Sequence, residues 1–190
     1  MKQGTRYSIV IRDKDGKVLK RLSAPSKSFL KRWNEALYMY FAQVSPRNVK
    51  NTAGASPETA TSVPIFTMDA PIADDDWGIV IGTGDTAVDV DDYALETIIA
   101  EGVGAGQMSY AACSVSLAAV AGDNCDYIVS RAITNDSGDT ITVKESGIYF
   151  KLWTSGGAPY YCGIRDVFET PLELPNGGSV SVNYTIRITV

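Results

Sequence analysis

The fold is indicated most clearly by residues 179–190, which read Ser179-Val180-Ser181-Val182-Asn183-Tyr184-Thr185-Ile186-Arg187-Ile188-Thr189-Val190. Apolar residues occupy every even position from 180 to 190, and polar residues occupy the odd positions between them. A period of two over so many residues is typical of a β-strand that buries one face. We therefore expect this run to be a full member of a sheet.

Six further runs of strand-forming residues precede it and are separated by turn-forming residues. They cover residues 63–68, 77–82, 107–117, 127–135, 140–152 and 158–167, and the clearest turns lie at 135–139 and 175–178. Short strands with turns at close intervals are typical of two packed antiparallel sheets. The sequence predicts a mainly β fold, an antiparallel β-sandwich of Ig-like or jelly-roll type.

The first residues predict a β-hairpin followed by an amphipathic α-helix. Tyr7, Ile9 and Ile11 recur at every second position, and the turn Asp13-Lys14-Asp15-Gly16 ends in a glycine that permits positive φ. After Pro25 the apolar residues recur every three or four positions, which predicts a helix. These residues are Phe29, Leu30, Trp33, Leu37, Tyr40, Phe41 and Val44.

The pattern divides the chain into three parts. Residues 1–45 are predicted to form a basic hairpin-helix segment, and residues 63–190 a β-sandwich domain. Residues 46–62 have few large apolar side chains and no period, so they are interpreted as a linker or long loop.

The net charge of −5 conceals a strong asymmetry. Residues 1–50 hold 12 Lys and Arg against 3 Asp and Glu, or +9, whereas residues 51–190 hold 5 against 19, or −14. Opposite charges of this size favour docking of the basic segment on an acidic body, its own or that of a neighbouring subunit, over nucleic-acid binding. The predicted assembly interface comprises Arg12, Lys14, Lys27, Lys31, Arg32, Trp33 and Tyr40.

The chain contains no histidine, which removes the commonest general base and the commonest metal ligand. The glycines at 82–84 and 102–106 lack the lysine and following helix of a phosphate-binding loop, so we interpret them as turns. Asp74, Asp75 and Asp76 could supply the acids of a glycosidase, a less favoured alternative. We expect a non-enzymatic protein without a cofactor.

The best candidates for a metal site are Asp85, Asp89 and Asp91. Carboxylates at alternating positions of a loop can bind Ca²⁺. The central glycine and the bidentate glutamate of a complete calcium loop are missing from this stretch. A solvated acidic loop is therefore favoured, and no metal is predicted.

The cysteines and the hydropathy of the chain indicate the cellular compartment in which the protein is expected. Cys113, Cys125 and Cys162 cannot all pair within one chain and show no CxxC spacing, so we expect free thiols in a reducing cytosol. The most apolar run, residues 110–121, is shorter than the roughly 20 residues that a membrane span needs. No membrane segment is predicted.

Several motifs follow one another in the order found in a known group of proteins. They are Tyr7-Ser8-Ile9-Val10-Ile11-Arg12-Asp13-Lys14-Asp15-Gly16-Lys17-Val18, Trp77-Gly78-Ile79-Val80-Ile81-Gly82-Thr83-Gly84-Asp85-Thr86, Ile141-Thr142-Val143-Lys144-Glu145-Ser146-Gly147-Ile148-Tyr149 and Pro175-Asn176-Gly177-Gly178-Ser179-Val180-Ser181-Val182-Asn183-Tyr184-Thr185-Ile186. With them the chain, residues 46–62 excepted, resembles uncharacterised virion proteins of tailed phages and related archaeal viruses.

The resemblance implies a structural role in the tail, in the neck or on the capsid surface of a virus particle that is assembled in the host cytoplasm. Its partners would be other copies of itself and other virion proteins, and the family carries no catalytic residues. The alternative is a receptor-binding β-sandwich of a viral fibre or baseplate that recognises a host surface glycan. Its candidate stacking residues are Trp77, Trp153, Tyr160 and Tyr161.

Overall fold

The computed structural model describes residues 2–26, 30, 51–55, 65–153 and 159–189. The strands in these ranges are β1 (Lys2–Arg12), β2 (Val18–Ser26), β3 (Ile65–Thr67), β4 (Gly78–Gly82), β5 (Ser109–Tyr110), β6 (Ser114–Val115), β7 (Ala119–Ala121), β8 (Asn124–Thr134), β9 (Ile141–Trp153), β10 (Tyr160–Leu174) and β11 (Ser179–Thr189). No described residue belongs to a helix, and so none belongs to a helix able to cross a membrane. The predicted mainly β fold is confirmed.

The strands form two antiparallel sheets. The large sheet has the order β2-β1-β11-β8-β5, and the short strands β6 and β7 also pair with β8. The small sheet has the order β10-β9-β3, and β4 also pairs with β9. All strand pairs are antiparallel.

The strand at 179–189 lies in the middle of the large sheet, as its alternation predicts. It pairs with β1 on one side and with β8 on the other, in unbroken registers from Lys2↔Thr189 to Arg12↔Ser179 and from Ser179↔Thr134 to Thr189↔Asn124. Its even residues Val180, Val182, Tyr184 and Ile186 are buried, and the intervening polar residues are more exposed. The period of two therefore places one face in the core.

The predicted hairpin is also confirmed, and it is part of this same sheet. The Asp13 carboxylate accepts the amides of Asp15 (3.0 Å) and Lys17 (2.8 Å), and Gly16 takes a φ of 80°. Because β1 pairs with β11 along its whole length, no domain boundary separates the hairpin from the sheet. The predicted boundaries at residues 45 and 62 reflect the distribution of charge along the chain. The strand pairing of residues 2–26 does not follow these boundaries.

The two sheets meet through side chains on their facing surfaces. The Ser146 hydroxyl on β9 lies 2.6 Å from the Tyr184 hydroxyl on β11, and the rings of Tyr7 and Phe168 have centroids 5.7 Å apart. One cluster of buried apolar residues draws on both sheets. Burial of this shared core is the main favourable contribution to folding.

Some predicted boundaries are wrong. The single strand predicted for 107–117 is divided into β5 and β6, because the Cys113 amide donates to the Ala70 carbonyl (2.8 Å) and leaves the β8 ladder. The strand predicted for 158–167 continues as β10 to Leu174 through a bulge after Val167. The predicted helix at 29–44 and most of the loop at 46–62 lie outside the described residues. Of that helix only Leu30 is described, and it is buried without regular secondary structure.

Candidate functional site

The outer face of the small sheet is covered by residues 83–101, which we call the acidic segment because they hold six Asp and Glu and no Lys or Arg. Ser146 points towards the large sheet, where it meets Tyr184. Since successive side chains of a strand point to opposite faces, Glu145 and Gly147 point away from the large sheet. The acidic segment lies on that side, with the Leu95 amide donating to the Tyr149 hydroxyl at 2.6 Å.

Glu145 is the residue that fixes the acidic segment to the sheet. Its side chain is fully buried, and its carboxylate accepts the backbone amides of Gly84 (3.1 Å), Thr97 (3.0 Å) and Glu96 (3.3 Å). These amides belong to both ends of the segment. In an irregular segment these backbone amides have no neighbouring strand to pair with, and the one buried carboxylate of Glu145 accepts their hydrogen bonds instead.

Arg165 on β10 lies beside Glu145 and binds the middle of the same segment. Its Nε donates to Glu145 Oε2 (2.8 Å) and its Nη1 to Asp92 Oδ2 (2.7 Å). Its Nη2 donates to the Thr86 carbonyl (3.2 Å) and lies 3.9 Å from Glu96 Oε2. The side chain is only 2% exposed.

The electrostatics of this cluster favour the charged forms. Burial alone would lower the pKa of Arg165, but the hydrogen bonds to Asp92 and Glu145 outweigh it and raise the pKa of the guanidinium above its ordinary value. The pKa of Glu96 is lowered, first by the Thr86 amide and then by the Thr86 hydroxyl. Both shifts favour the charged forms of Arg165 and Glu96.

A cleft of about 260 Å³ opens beside the cluster and is lined by Thr86, Asp92, Tyr93, Ala94, Leu95, Glu96 and Arg165. Each of the three nitrogens of the Arg165 guanidinium already donates to an acceptor within the protein. Among the described residues that line the cleft there is no histidine, cysteine or lysine. The hydrogen bonds and ion pairs beside the cleft hold the acidic segment on the small sheet.

A second buried arginine, Arg131, joins the large sheet to the chain before and along β4. Its guanidinium donates to five backbone carbonyls at 2.6–3.1 Å and lies 4.8 Å from the centroid of the Tyr110 ring. Burial lowers the pKa of Arg131. The carbonyls are those of Pro71, Asp74, Trp77, Ile79 and Ala111. Arg131 is therefore a structural link between the two sheets.

Asp85 and Asp89, two of the predicted calcium candidates, have contacts in different places. Asp85 forms an ion pair with Lys144 at 2.7 Å, and Asp89 accepts the Asp91 amide at 2.8 Å within its own turn. Across the described ranges, no group of three or more Cys, Asp and Glu side chains is placed to hold a metal ion. The structure brings Asp92 rather than these residues to the buried cluster.

The candidate stacking residues are not assembled into one exposed platform. Trp77 is 7% exposed, its indole Nε1 donates to Asp74 at 2.9 Å, and Lys151 Nζ lies 5.1 Å from its ring centroid. Tyr161 is fully buried and stacks on Phe150, with ring centroids 5.6 Å apart, whereas Tyr160 is half-buried. The side chain of Trp153 lies outside the described part of the structure.

The cysteines are free thiols. Cys113 and Cys162 are buried and Cys125 is half-buried. Burial raises the pKa of the Cys113 thiol and raises that of Cys162 well above its ordinary value. Both buried thiols are therefore poor nucleophiles.

Of the predicted interface residues the structure describes Arg12 and Lys14, whereas Lys27, Lys31, Arg32, Trp33 and Tyr40 lie outside the described residues. Lys14 is exposed in the hairpin turn, and Arg12 Nη1 donates to the Gly16 carbonyl at 3.1 Å. Arg12 belongs to the outer face of the large sheet together with Arg6, Arg21 and Arg187. We call this surface the basic face.

The sequence pattern did not predict one further surface feature, an exposed and uncharged ribbon. Residues 114–123 form an exposed ribbon along β8, built from β6, β7 and the chain between and after them. They carry no charge before Asp123, and Leu117 and Val120 are 92% and 78% exposed. The available signal was the absence of any Asp, Glu, Lys or Arg between Glu101 and Asp123, in a run too polar for a membrane.

The buried charges were missed for a related reason. Glu145, Arg165 and Arg131 lie inside strand-like runs, and a charged residue in a predicted buried strand is the signal that could have identified them. The Arg165 partners Asp92 and Thr86 lie 73 and 79 residues away from it along the chain. No local spacing connects them.

No protein-family model, no curated protein and no solved structure matches this chain. The resemblance to virion proteins is therefore a prediction from the sequence motifs alone.

Proposed function

We propose that this chain is a non-enzymatic structural component of a virus particle, in the tail, in the neck or on the capsid surface, and that it acts through contacts between subunits. The proposal includes the finer fold type, a β-sandwich of Ig-like or jelly-roll form. The resemblance of the motifs at 7–18, 77–86, 141–149 and 175–186 supplies the viral context. Two antiparallel sheets with a shared core support a rigid building block.

The observation that carries the proposal is the exposed ribbon at 114–123. Edge strands of soluble monomers are protected by charges, prolines or bulges, because an unprotected edge pairs with other chains. This ribbon has neither charge nor proline from Ser114 to Gly122, and its large apolar side chains Val115, Leu117 and Val120 face solvent. Such a surface is typical of one that a partner covers in an assembly.

The buried charges support a structural rather than a catalytic role. Arg165, Glu145 and Arg131 have their polar atoms hydrogen-bonded to neighbouring segments of the same chain. They consequently hold the architecture together, with their charged side chains engaged inside the protein. The glycan-binding alternative gains no support from Trp77 or Tyr161, since the described positions of both rings are buried.

Quantitative mass spectrometry of purified particles of the virus that encodes the chain tests the proposal. We expect the chain in many copies at a fixed ratio to the major capsid protein. Leu117→Glu together with Val120→Glu should lower incorporation at least tenfold, since two charges on the ribbon would have to be desolvated. Val103→Glu is the matched control, because Val103 is also an exposed valine (64%) but lies off the ribbon. Absence of the chain from the particles would overturn the proposal.

A further inference from the structure

The basic face is an exposed sheet surface without a partner in the described part of the chain. It is formed by the outward side chains of β2, β1, β11 and β8, which include Arg6, Arg12, Arg21 and Arg187 against the single carboxylate of Asp126. Four positive charges and one negative charge leave +3. Arg187 is paired with Asp126 at 2.6 Å, whereas Arg6 and Arg21 are exposed and form no ion pair with any described residue.

Between these charges the face is smooth. Its central residues are small, and they leave a shallow groove of about 260 Å³ between the chain at 111–114 and the strands β8 and β11. The lining includes Ser114, Ser130, Ala132, Ser181 and Asn183. Hydroxyl and amide groups of this kind form hydrogen bonds with a docked protein surface without imposing a large desolvation cost.

The acidic segment lies on the opposite side of the molecule. It covers the face of the small sheet that points away from the large sheet, as the opposite directions of Ser146 and Glu145 show. The segment carries a charge of −6, and the side chains of Asp85, Asp89 and Glu96 are exposed on it. The protein therefore has a positive face and a negative face on its two outer sides.

The basic face is large enough for a specific contact. Strands ~4.8 Å apart with a rise of ~3.3 Å per residue give four strands a surface of roughly 19 by 33 Å, or roughly 600 Å². A standard protein interface buries about 800 Å² on each partner. The face and the ribbon beside it together approach that area.

The charges also decide the symmetry of the contact. A two-fold axis through the basic face would set Arg6, Arg12 and Arg21 of one copy against the same residues of the other, and like charges across an interface are costly. A translation or rotation that stacks the positive face on the negative face of the next copy has no such cost. Contacts of this head-to-tail kind close into rings or continue as filaments.

We infer that this protein self-associates head to tail, with the basic face of one copy docked on the acidic segment of the next. The inference rests on the proposed assembly function and specifies the partner, a second copy of this chain, and the polarity of the contact. It assigns the assembly role to the outer side of β1 and β2 within the sheet.

Charge-swapped variants of the full chain test this polarity. The first variant, Arg6→Glu with Arg21→Glu, reverses the basic face. The second, Ala87→Arg with Asp89→Arg, changes the charge of the acidic segment from −6 to −3 at two exposed positions and leaves Asp92, Glu96 and Glu145 in place. Lys14→Glu with Lys17→Glu is the matched control, because it makes the same change in net charge in the hairpin turn, off the face.

Molar mass is measured by light scattering as a function of protein and salt concentration. At 50 mM salt the wild type and the control should associate beyond the 20.4 kDa monomer, and 1 M salt should dissociate them because the Debye length falls to ~3 Å. Each charge-swapped variant alone should associate at least tenfold more weakly. An equimolar mixture of the two should associate again, since each variant retains the face that the other needs.

Three outcomes would overturn the head-to-tail contact. They are a wild type that is monomeric at every concentration, charge-swapped variants that associate as the wild type does, and a mixture that does not recover association. Binding of the wild type to duplex DNA that is lost in the Arg6→Glu, Arg21→Glu variant, together with a monomeric wild type, would assign the basic face to nucleic acid instead. None of these results changes the particle content measured by mass spectrometry, so failure of this inference is distinguishable from failure of the proposed function.

Discussion

The hairpin at 2–26 and the acidic segment at 83–101 are both strongly charged, and both lie on the outside of a sheet core, but different interactions attach them. The hairpin is held by backbone pairing, since β1 pairs with β11 along eleven residues and β2 pairs with β1. The acidic segment has a single bridge to a strand, Gly82↔Ile98, and is held by side chains of the small sheet.

This difference determines what the charges can do. In the hairpin the ladder satisfies the backbone, so the arginines of β1 and β2 extend into solvent and are available to a partner. In the acidic segment the backbone amides at 84, 96 and 97 have no ladder and take the Glu145 carboxylate as acceptor, while Asp92 pairs with Arg165. Regular pairing leaves charge available for surface contacts, whereas irregular structure uses part of it internally, here Asp92 and Glu96, and leaves Asp89 at the surface.

The largest expected effect is from removal of the Glu145 carboxylate. Glu145→Leu leaves the buried Arg165 without one of its carboxylate partners and three backbone amides without their acceptor, so we expect the free energy of unfolding to fall by about 3–5 kcal/mol. Denaturant unfolding measures this loss. Glu173→Leu is the control, because Glu173 is an exposed glutamate of the neighbouring strand β10, and its loss should cost less than about 1 kcal/mol.

Hydrogen exchange sharpens the same comparison. In Glu145→Leu the amides of Gly84 and Thr97 should lose protection first, while the amides of β1 and β11 stay protected until global unfolding. Equal loss of protection in the hairpin would show that the two regions are not separately attached.

An intermediate effect is expected from adding one methyl group under the acidic segment. A Cβ at Gly147 would lie 2.7 Å from Leu95 Cδ1 and 2.5 Å from the Ile164 carbonyl oxygen, whereas a Cβ at Gly4 on β1 would meet nothing within 4 Å. We expect Gly147→Ala to cost about 1–3 kcal/mol of unfolding free energy. Gly4→Ala should be neutral or slightly stabilising. Thermal and denaturant unfolding of the pair measure the difference, and equal values would contradict the close packing of Leu95 on β9.

A smaller effect is expected in the hairpin turn. Gly16 has a φ of 80°, a region that costs an alanine roughly 1 kcal/mol. Gly16→Ala should lower the unfolding free energy by about that amount, and Gly16→Asn by less, because asparagine tolerates this conformation. Denaturant unfolding compares the two variants. A larger loss for asparagine than for alanine would show that space and not backbone conformation limits the turn.

The smallest expected effect is a local pH dependence of the acidic segment. The pKa of Glu96 is lowered by the Thr86 amide and hydroxyl and by the Asp85 amide, so the carboxylate binds these groups more tightly when it is ionised. A lowered folded-state pKa means that this contribution to stability is complete above the ordinary value of 4.5 and is lost as the pH falls through the lowered value. The NMR shift of the Thr86 amide should titrate with a midpoint below 4.5, and Glu96→Gln should abolish that titration. A midpoint at or above 4.5 would contradict the hydrogen bonds seen here.

The strand pattern could be predicted from the sequence because it is local. The alternation at 179–190, the Asp13-to-Gly16 turn and the turns at 135–139 and 175–178 each depend on a few adjacent residues, and the structure has strands and turns at these places. The run at 107–117 also alternates well enough to predict one strand. It is interrupted because the Cys113 amide finds the Ala70 carbonyl, a competition between distant segments that local pattern does not contain.

The buried arginines could not be paired from the sequence. Arg165 is adjacent to Asp166, yet on a strand the two side chains point to opposite faces, and Asp166 accepts the Ser26 hydroxyl while Arg165 binds Glu145 and Asp92. The partners of Arg131 are all backbone carbonyls, which have no signature in a sequence. Prediction of either cluster requires the sheet order and the register first.

The mainly β fold, the hairpin near residue 13 and the division of charge into +9 and −14 could be predicted from the sequence. These properties follow from period, turn residues and composition, which are local. The strand pairing was needed to show that the hairpin belongs to the same sheet as β11, that Glu145 and Asp92 are bound to Arg165, and that the remaining opposite charges face opposite sides. The physical reason is that charges act through space and burial, and both depend on strand pairings between residues far apart in the chain.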